Sequence, residues 1–320
     1  MTREAELDRV RQCIRTMTAH SFAGTETGAV LDDVLGSTGK MIRPRLLLLC
    51  SGFGPLREER FGRICLLAAM VELTHMASLV HDDIVDDARF RRGKPSVQSR
   101  YGKDAAVYAG DFLISRVNYW EAKEDLREAA MLLSGTVEKM CVGEIGQAVC
   151  RYREDVTAEE YLRNIRGKTA ALFQTACLLG AREAGCPDAD AEKLGQVGEY
   201  IGIMFQFRDD LLDFISTPEE CGKDTRKDFL EGIFTIPVIF AAETEAAREE
   251  LRAFMRQAKA GTLTESDLRQ MTELVLAFGV ERTRQEIHRL FRKSIALLDT
   301  LENNESNDRI RELIGKIDAV

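Results

Sequence analysis

The chain has 320 residues, of which 45% are hydrophobic, enough to form the core of one large domain or two small ones. Its formal net charge of −9 argues against partners such as nucleic acid or an anionic membrane surface. Eight cysteines without C-x-x-C spacing are typical of reduced thiols in a cytoplasmic protein. We expect a single domain over residues 1–320, because no long Pro, Gly or Ser linker interrupts the chain.

Apolar residues recur at helical spacing along most of the chain, without convincing strand alternation, so the sequence predicts an all-α fold. In chain order, the predicted helices cover residues 3–17, 41–50, 58–87, 103–125, 126–151, 158–165, 168–182, 189–215, 236–259, 265–277 and 280–301. Two of them begin with capping-box pairs, Thr157 with Glu160 and Thr264 with Asp267. A charged N-terminus and only a short apolar run at 46–50 predict neither a signal peptide nor a stable membrane anchor.

Two of the predicted helices carry the same acidic signature near their ends. Residues 82–86 read DDIVD and residues 209–213 read DDLLD. The first and last aspartates of each copy are four residues apart, one helical turn, so they project from the same face. Clustered carboxylates repel unless a divalent cation neutralises them, and an all-oxygen ligand set favours Mg²⁺, which completes its shell with water and substrate phosphate. The two motifs together predict a diphosphate substrate, whereas one alone would be typical of a solvated helix end.

Basic residues cluster near the first motif although the chain is acidic overall. Arg91 and Arg92 follow the motif directly, and Lys40 and Arg43 flank an earlier loop. Guanidinium groups bind phosphate oxygens in a forked geometry, which suits a diphosphate. His75 lies seven residues before the motif, two turns along the same helix face, and is expected to point into the same cavity. A lone histidine in a helix is also typical of a structural residue.

The order of these motifs resembles that of the trans-isoprenyl diphosphate synthases, also called polyprenyl synthetases, over nearly the whole chain. The matching segments are 39–44 (GKMIRP), 72–86 (ELTHMASLVHDDIVD), 91–95 (RRGKP), 109–111 (AGD), 143–144 (GE) with Gln147, 168–170 (KTA), 205–206 (FQ) before the second motif, 222–223 (GK) and 235–237 (TIP). The resemblance implies an all-α bundle of antiparallel helices around a deep central cavity. It also implies a homodimer, with both aspartate motifs at the cavity mouth.

The implied reaction adds isopentenyl diphosphate head to tail to an ionised allylic diphosphate, with Mg²⁺ as cofactor and three ions per active site. The implied catalytic residues are Asp82, Asp83, Asp86, Arg91, Arg92, Lys168, Thr169, Gln206, Asp209, Asp210 and Lys223. The implied metal ligands are Asp82, Asp86, Asp209 and Asp213. Positions that match isopentenyl diphosphate binding are Lys40, Arg43, His75 and Arg92, and those that match allylic diphosphate binding are Arg91, Lys168, Thr169, Gln206 and Lys223.

Two positions depart from the family pattern. A glycine and a second lysine commonly follow the segment at 222–223, and the matching residues here are Arg226 and Ile233. One phosphate contact would then be missing unless Arg226 or Lys227 replaces it.

Product length is expected to depend on how far the cavity extends below the metal site. Ala77 and Ser78, five and four residues before the first motif, are small and leave the next helical turn open. One turn rises about 5.4 Å, so each open turn admits roughly one more isoprene unit. We expect a product from geranylgeranyl to octaprenyl diphosphate. The candidates for the cavity floor are Met70, Trp120, Leu133 and Met140.

Three alternatives stay open. A class I terpene cyclase shares the fold and the first motif, but it usually carries a different second metal motif. A catalytic subunit that needs a small partner is left open by Arg226 and Ile233. A helical scaffold with solvent-facing acidic clusters would leave the order of the motifs unexplained.

Overall fold

The computed structural model describes residues 3–36, 39–216 and 226–319. It divides into two compact units. Unit 1 comprises residues 1–137, 175–195 and 304–306, and unit 2 comprises residues 138–174, 196–303 and 307–320. Helices account for 78% of the structure, so the predicted all-α class is confirmed. The single domain over residues 1–320 stays a prediction.

The helices in the first half of the chain carry the first acidic motif. They are α1 (Arg3–Met17), α2 (Glu26–Leu35), α3 (Ile42–Cys50), α4 (Phe61–Val85), α5 (Val97–Tyr101), α6 (Lys103–Lys123) and α7 (Arg127–Val149). A short hairpin joins α4 to α5, and its two antiparallel strands are β1 (Phe90–Arg91) and β2 (Lys94–Pro95).

The second half of the chain is also helical, and one of its helices, α10 (Asp188–Ile215), carries the second acidic motif. Its helices are α8 (Ala158–Ile165), a π-helical turn (Arg166–Ala170), α9 (Ala171–Glu183), α10 (Asp188–Ile215), α11 (Lys227–Leu230), α12 (Ile236–Glu243), α13 (Glu245–Ala260), α14 (Glu265–Phe278), α15 (Val280–Leu298) and α16 (Glu305–Asp318).

Helix α4 forms the centre of the unit 1 core. It packs against α1, α3 and α6, and side chains such as Leu67, Met70 and Leu73 are fully buried. In the described part of the chain, only α4 is long and apolar enough to cross a membrane by composition, with a mean hydropathy of 1.6 over its most apolar window. Because 72% of that window is buried inside the protein, its apolar character is that of a core helix.

Unit 2 has a core of its own where α12, α13 and α14 pack together. Phe214 from the end of α10 and Phe229 from α11 join this core, and Phe229 stacks at a tilt on Phe234 with ring centroids 5.2 Å apart. The core therefore holds the chain on both sides of residues 217–225. These neighbouring segments include the end of the second acidic motif.

The predicted helix over residues 236–259 is wrong, because the structure contains two helices there. Thr244 separates α12 from α13 with an extended backbone (φ −78°, ψ 127°). Its hydroxyl donates to the Phe240 carbonyl at 3.3 Å, and Arg248 donates to the Glu243 carbonyl at 2.8 Å. These side chains satisfy carbonyl groups that a continuous helix would have bonded itself, so the helix can end there.

Several boundaries follow the sequence signals closely. Helices α1 and α8 have the predicted limits, and both predicted capping boxes, at Thr157 and at Thr264, are confirmed. Helix α2 was not predicted, although Thr25 caps it by accepting from the Gly28 N–H at 3.1 Å. Helices α5, α11 and α16 were not predicted either. The seven described cysteines are free thiols, and Cys221 lies outside the described residues.

Candidate functional site

The first acidic motif occupies the C-terminal end of α4. Asp82 and Asp86 lie one turn apart and are half-buried, and Asp86 is the C-cap residue. Asp83 differs from both, since it is only 4% exposed and accepts from Arg91 through Nε at 2.8 Å and through Nη2 at 2.5 Å. The middle aspartate therefore holds the β1 strand onto the end of α4. Arg91, predicted to bind the allylic diphosphate, is hydrogen-bonded to Asp83 in this structure, and its role in binding stays a prediction.

The second motif lies in the last turns of α10 and shows the same division. Asp209 is exposed and Asp213 is half-buried, whereas Asp210 is only 3% exposed. Asp213 accepts from the backbone N–H of Arg226 through both carboxylate oxygens, each at 2.9 Å. Asp210 accepts from the Tyr161 hydroxyl and from Gln206 Nε2, the latter at 3.0 Å. In both motifs, then, the middle carboxylate is the buried one.

Burial and neighbouring carboxylates shift the ionisation of the second motif. Burial raises the pKa of Asp210 to about 7, against the opposing effect of its hydrogen bonds from Tyr161 and Gln206. Burial, together with the charge of Asp210, raises the pKa of Tyr161 well above its usual range, so its hydroxyl stays a donor. Asp228, on α11, has its pKa raised to about 6 by burial and by the nearby charges of Asp213 and Glu231. Carboxyl groups are therefore crowded around this motif, and Asp210 and Asp228 hold a proton more readily than ordinary aspartates do.

The aspartate pairs fit a cation that is only partly ligated by protein. Within residues 3–36, 39–216 and 226–319, no group of three or more His, Cys, Asp or Glu side chains could hold a metal ion. Mg²⁺ typically binds one or two carboxylates and takes its other ligands from water and substrate phosphate. Two accessible carboxylates a turn apart, with further buried acids beside them, suit that mode. The residues that would hold Mg²⁺ are Asp82, Asp86, Asp209 and Asp213.

A basic cluster in unit 1 unites the residues that match isopentenyl diphosphate binding. The guanidinium of Arg92 packs directly on Gly39, the neighbour of Lys40, where any Cβ would collide with it. Burial lowers the pKa of Arg43 to about 10. Burial and the positive charges of Arg43, Arg92 and Arg91 hold the pKa of His75 well below its usual range. His75 is therefore a neutral imidazole beside a set of cations at neutral pH.

Glu72 is a member of this cluster to which the sequence analysis assigned no role. It is 2% exposed within α4, and burial raises its pKa although Arg43 and Arg92 lower it. In the sequence, Glu72 is the first residue of the matching segment 72–86 and a charged residue inside the apolar run of α4. A buried carboxylate of this kind needs a cationic partner, and it gives Arg43 a fixed counter-charge.

The π-helical turn (Arg166–Ala170) carries Lys168 and Thr169. Such turns are frequent at functional sites because they redirect side chains within a helix. Lys168 Nζ pairs with Glu144 at 3.0 Å, and the Thr169 hydroxyl donates to Gln206 Oε1 at 2.9 Å. The sequence motifs do not include Tyr161, on α8, which lies seven residues, or two helical turns, before Lys168. They do not include Asp228 either.

Three more of the predicted residues are Lys223 and the two chain-length positions, Ala77 and Ser78. Lys223 lies outside the described residues. Ala77 is buried, and Ser78 is half-buried and donates to the His75 carbonyl at 2.9 Å.

The two side chains expected to replace a phosphate contact both have protein partners. Arg226 Nε donates to the Thr272 hydroxyl at 3.0 Å, and Lys227 Nζ pairs with Glu231 at 3.2 Å. Arg226 has a left-handed backbone with φ of 63°, a conformation that glycine adopts without steric strain.

Comparison with known proteins connects this geometry to a family. The polyprenyl synthetase family model matches residues 25–275. Heptaprenyl diphosphate synthase component 2 of Geobacillus stearothermophilus is 38% identical over 292 residues, covering 89% of this chain and 88% of the relative. Octaprenyl diphosphate synthase of Escherichia coli (strain K12) is 32% identical over 270 residues, covering 84% and 82%. A solved polyprenyl synthase from Caulobacter crescentus CB15, complexed with calcium and isoprenyl diphosphate, aligns with a TM-score of 0.88 at 28% identity, covering 99% and 95%.

Proposed function

Because the chain belongs to the polyprenyl synthetase family, which elongates prenyl chains, we propose that it is a Mg²⁺-dependent trans-polyprenyl diphosphate synthase. It would add isopentenyl diphosphate head to tail to an allylic diphosphate. The observation that carries the proposal is the shared construction of the two motifs, in which the middle aspartate is buried and the outer pair is more accessible. The divalent cation and isoprenyl diphosphate bound to the Caulobacter crescentus protein support the same chemistry.

The unit 1 cluster is the proposed site for isopentenyl diphosphate. Lys40, Arg43 and Arg92 would neutralise its phosphates, and forked guanidinium groups suit terminal phosphate oxygens. Neutral His75 would donate one N–H without adding charge. Glu72 would keep Arg43 in place while the substrate leaves and returns.

For the allylic diphosphate, the proposal keeps the residues that the family resemblance implies, which are Arg91, Lys168, Thr169, Gln206 and Lys223. When bound, Mg²⁺ would stabilise the negative charge that develops on the departing diphosphate, with three ions per site as in our prediction from the family resemblance. Lys168 adds a positive charge for the same purpose. Thr169 and Gln206 would present oxygen atoms to the allylic cation that remains. The double bond of isopentenyl diphosphate would attack that cation to form the new C–C bond, and the cation that this creates on the isopentenyl unit would lose a proton to give the longer diphosphate.

We propose a product in the heptaprenyl to octaprenyl range. The named relatives of similar sequence make chains of these lengths according to their names. Small Ala77 and Ser78, near the end of α4, support a cavity that stays open below the first motif.

A second subunit is part of the proposal, and two forms of it have support. Exposed aromatic side chains on α6, Tyr108 at 72% and Tyr119 at 52%, share a face and support a homodimer. The name "component 2" of the Geobacillus stearothermophilus relative favours a second candidate, a catalytic subunit that works with a different, small partner. We place the protein in the cytoplasm, with no nucleic acid partner and no stable membrane anchor. A terpene cyclase is disfavoured by the family match.

The proposal is tested by incorporation of labelled isopentenyl diphosphate into extracted chains, with farnesyl diphosphate as primer. We expect Mg²⁺-dependent incorporation that EDTA abolishes and added Mg²⁺ restores. Asp209→Asn should lower the rate by about 100-fold or more, because it removes an accessible carboxylate of the second motif. Asp190→Asn, on the same helix but paired with Lys193 in its first turn, is the control and should stay within about 2-fold. Incorporation that persists in EDTA would contradict the proposal.

A further inference from the structure

Four side chains of unit 2 form a continuous hydrogen-bonded chain. Thr169 donates to Gln206 Oε1 at 2.9 Å, and Gln206 Nε2 donates to Asp210 Oδ1 at 3.0 Å. The Tyr161 hydroxyl donates to the other oxygen of the same carboxylate, Asp210 Oδ2. Each hydrogen donated between these four side chains is therefore directed towards the Asp210 end, from Tyr161 on one side and from Thr169 and Gln206 on the other.

The end of this chain at Tyr161 is held rigidly. Tyr161 is buried on α8, and its ring stacks on Phe207 with centroids 6.4 Å apart and planes 25° apart. Helix α8 itself begins with the capping box of Thr157 and Glu160. A hydroxyl placed by a stacked ring on a capped helix has few alternative positions, so the carboxylate that it contacts is held as well.

We propose that Tyr161 is a positioning residue for prenyl transfer, which acts through Asp210 to fix the orientation of Gln206 and Thr169. In this arrangement Asp210 is the anchor of the chain and not a ligand of the metal. The inference rests on the proposed function and deepens it, because it assigns a task to a tyrosine outside the family motifs and to the middle aspartate of the second motif.

The consequence for the reaction lies at the Thr169 end of the hydrogen-bonded chain. The amide of Gln206 can be flipped in principle, but an ionised Asp210 can only accept, so with Asp210 in that form the bond between them requires the orientation with the Gln206 nitrogen towards Asp210. Thr169 gives its single hydroxyl hydrogen to Gln206, so its lone pairs are what it can offer to a substrate. Lone pairs held in place beforehand stabilise a carbocation without reorganisation at the moment of reaction.

The test compares Tyr161→Phe with a matched control, Tyr200→Phe. Both changes remove one hydroxyl and keep the ring, and Tyr200 lies on α10, where its hydroxyl accepts from Gln196 at 3.1 Å. We expect Tyr161→Phe to lower kcat by about 10-fold or more. The KM for isopentenyl diphosphate should stay within about 2-fold, since a different set of residues would bind it. Tyr200→Phe should match the wild type in both constants.

A double-mutant cycle separates positioning from simple packing. If the four hydrogen-bonded side chains act together, Tyr161→Phe should have almost no further effect on kcat in a Thr169→Val background. The Mg²⁺ concentration for half-maximal rate should also be unchanged. Effects on kcat that multiply independently, an unchanged kcat in Tyr161→Phe, or a Mg²⁺ requirement raised about 10-fold would each overturn the inference.

A crystal structure of the Tyr161→Phe protein gives a readout that does not depend on turnover. The Gln206 amide should lose its single orientation, whereas an unchanged Gln206 and Thr169 would overturn the inference. Wild-type protein that elongates no primer would contradict the proposed function, and this structural comparison would still decide whether Tyr161 orients the chain.

Discussion

The three aspartates of each motif differ in what they contact, although their side chains are identical. Asp83 and Asp210 are buried and receive two hydrogen bonds each, from Arg91 in one case and from Tyr161 and Gln206 in the other. A buried carboxylate with such donors is held in one geometry, and leaving it without them would cost on the order of 1–3 kcal/mol. The outer aspartates of each motif are therefore the better candidates for a ligand that exchanges during turnover.

The ionisation of His75 is a testable property of a single residue. Burial and the positive charges of Arg43, Arg92 and Arg91 hold the folded-state pKa of His75 well below its usual range, so the unfolded chain binds a proton more readily. The stability that neutral His75 contributes is fully present above about pH 6.5 and is lost as pH falls below it.

NMR of protein with ¹³C-labelled histidine measures this directly, with His75→Gln to assign the resonance. We expect the His75 signal not to titrate between about pH 8 and pH 6.5. The free energy of unfolding should fall below about pH 6.5, and more steeply in the wild type than in His75→Gln. A His75 midpoint at or above its usual value would contradict the cationic surroundings described for it.

Arg226 offers a second test at this scale. Its left-handed backbone is costly for any residue with a Cβ, while its backbone N–H holds both oxygens of Asp213. Arg226→Gly and Arg226→Ala both remove the guanidinium, so they differ mainly in that backbone cost. We expect Arg226→Gly to be more stable than Arg226→Ala by about 1 kcal/mol in urea unfolding. Equal stabilities, or a more stable alanine variant, would show that the left-handed conformation is not kept in solution.

At the scale of elements, two glycines allow α7 to approach the π-helical turn. A Cβ on Gly143 would collide with the carbonyl of Asn164 and the backbone nitrogen of Lys168, and one on Gly167 would collide with the carbonyl of Lys139. Backbone groups cannot move aside as a side chain can. The position of Lys168 and Thr169 therefore depends on these two residues having no side chain.

Gly143→Ala should displace the π-helical turn and lower the rate of prenyl transfer by about 10-fold or more, with a loss of about 2 kcal/mol in stability. Gly135→Ala is the matched control, because it lies on the same helix with no atom near its added Cβ. The control should be neutral or more stable by up to about 1 kcal/mol. Similar behaviour of the two variants in activity and urea unfolding would contradict this role of Gly143.

The sequence predicted features that depend on neighbouring residues better than contacts between residues far apart in the sequence. The capping boxes at Thr157 and Thr264 and the one-turn spacing of the aspartates depend on residues within a turn or two, and they appear as predicted. The contact of Tyr161 with Asp210 joins residues 49 positions apart, so no local pattern indicates it. The division of residues 236–259 into α12 and α13 was missed because the apolar pattern continues through Thr244, and its side-chain bonds decide the break.

For the whole molecule, the proposed homodimer can be tested through the exposed face of α6. The chain mass is 35.9 kDa, so a homodimer would be about twice that by light scattering on a sizing column. Tyr108→Glu with Tyr119→Glu places like charges on the exposed face of α6 and should shift the protein towards the monomer. Glutamates at two exposed positions of another helix, Arg284→Glu and Arg292→Glu on α15, are the control. A wild-type monomer, or a dimer unaffected by the tyrosine changes, would contradict the homodimer.

The most direct test of the central claim is the mass of the product made by the purified chain alone. With Mg²⁺, isopentenyl diphosphate and farnesyl diphosphate, we expect linear polyprenyl diphosphates that extend to the heptaprenyl or octaprenyl length and disappear with EDTA. Cyclised hydrocarbon would contradict the account and indicate a terpene cyclase. Absence of any elongated chain, whichever of the dimethylallyl, geranyl, farnesyl or geranylgeranyl primers is supplied, would contradict the claim that this chain carries the activity by itself.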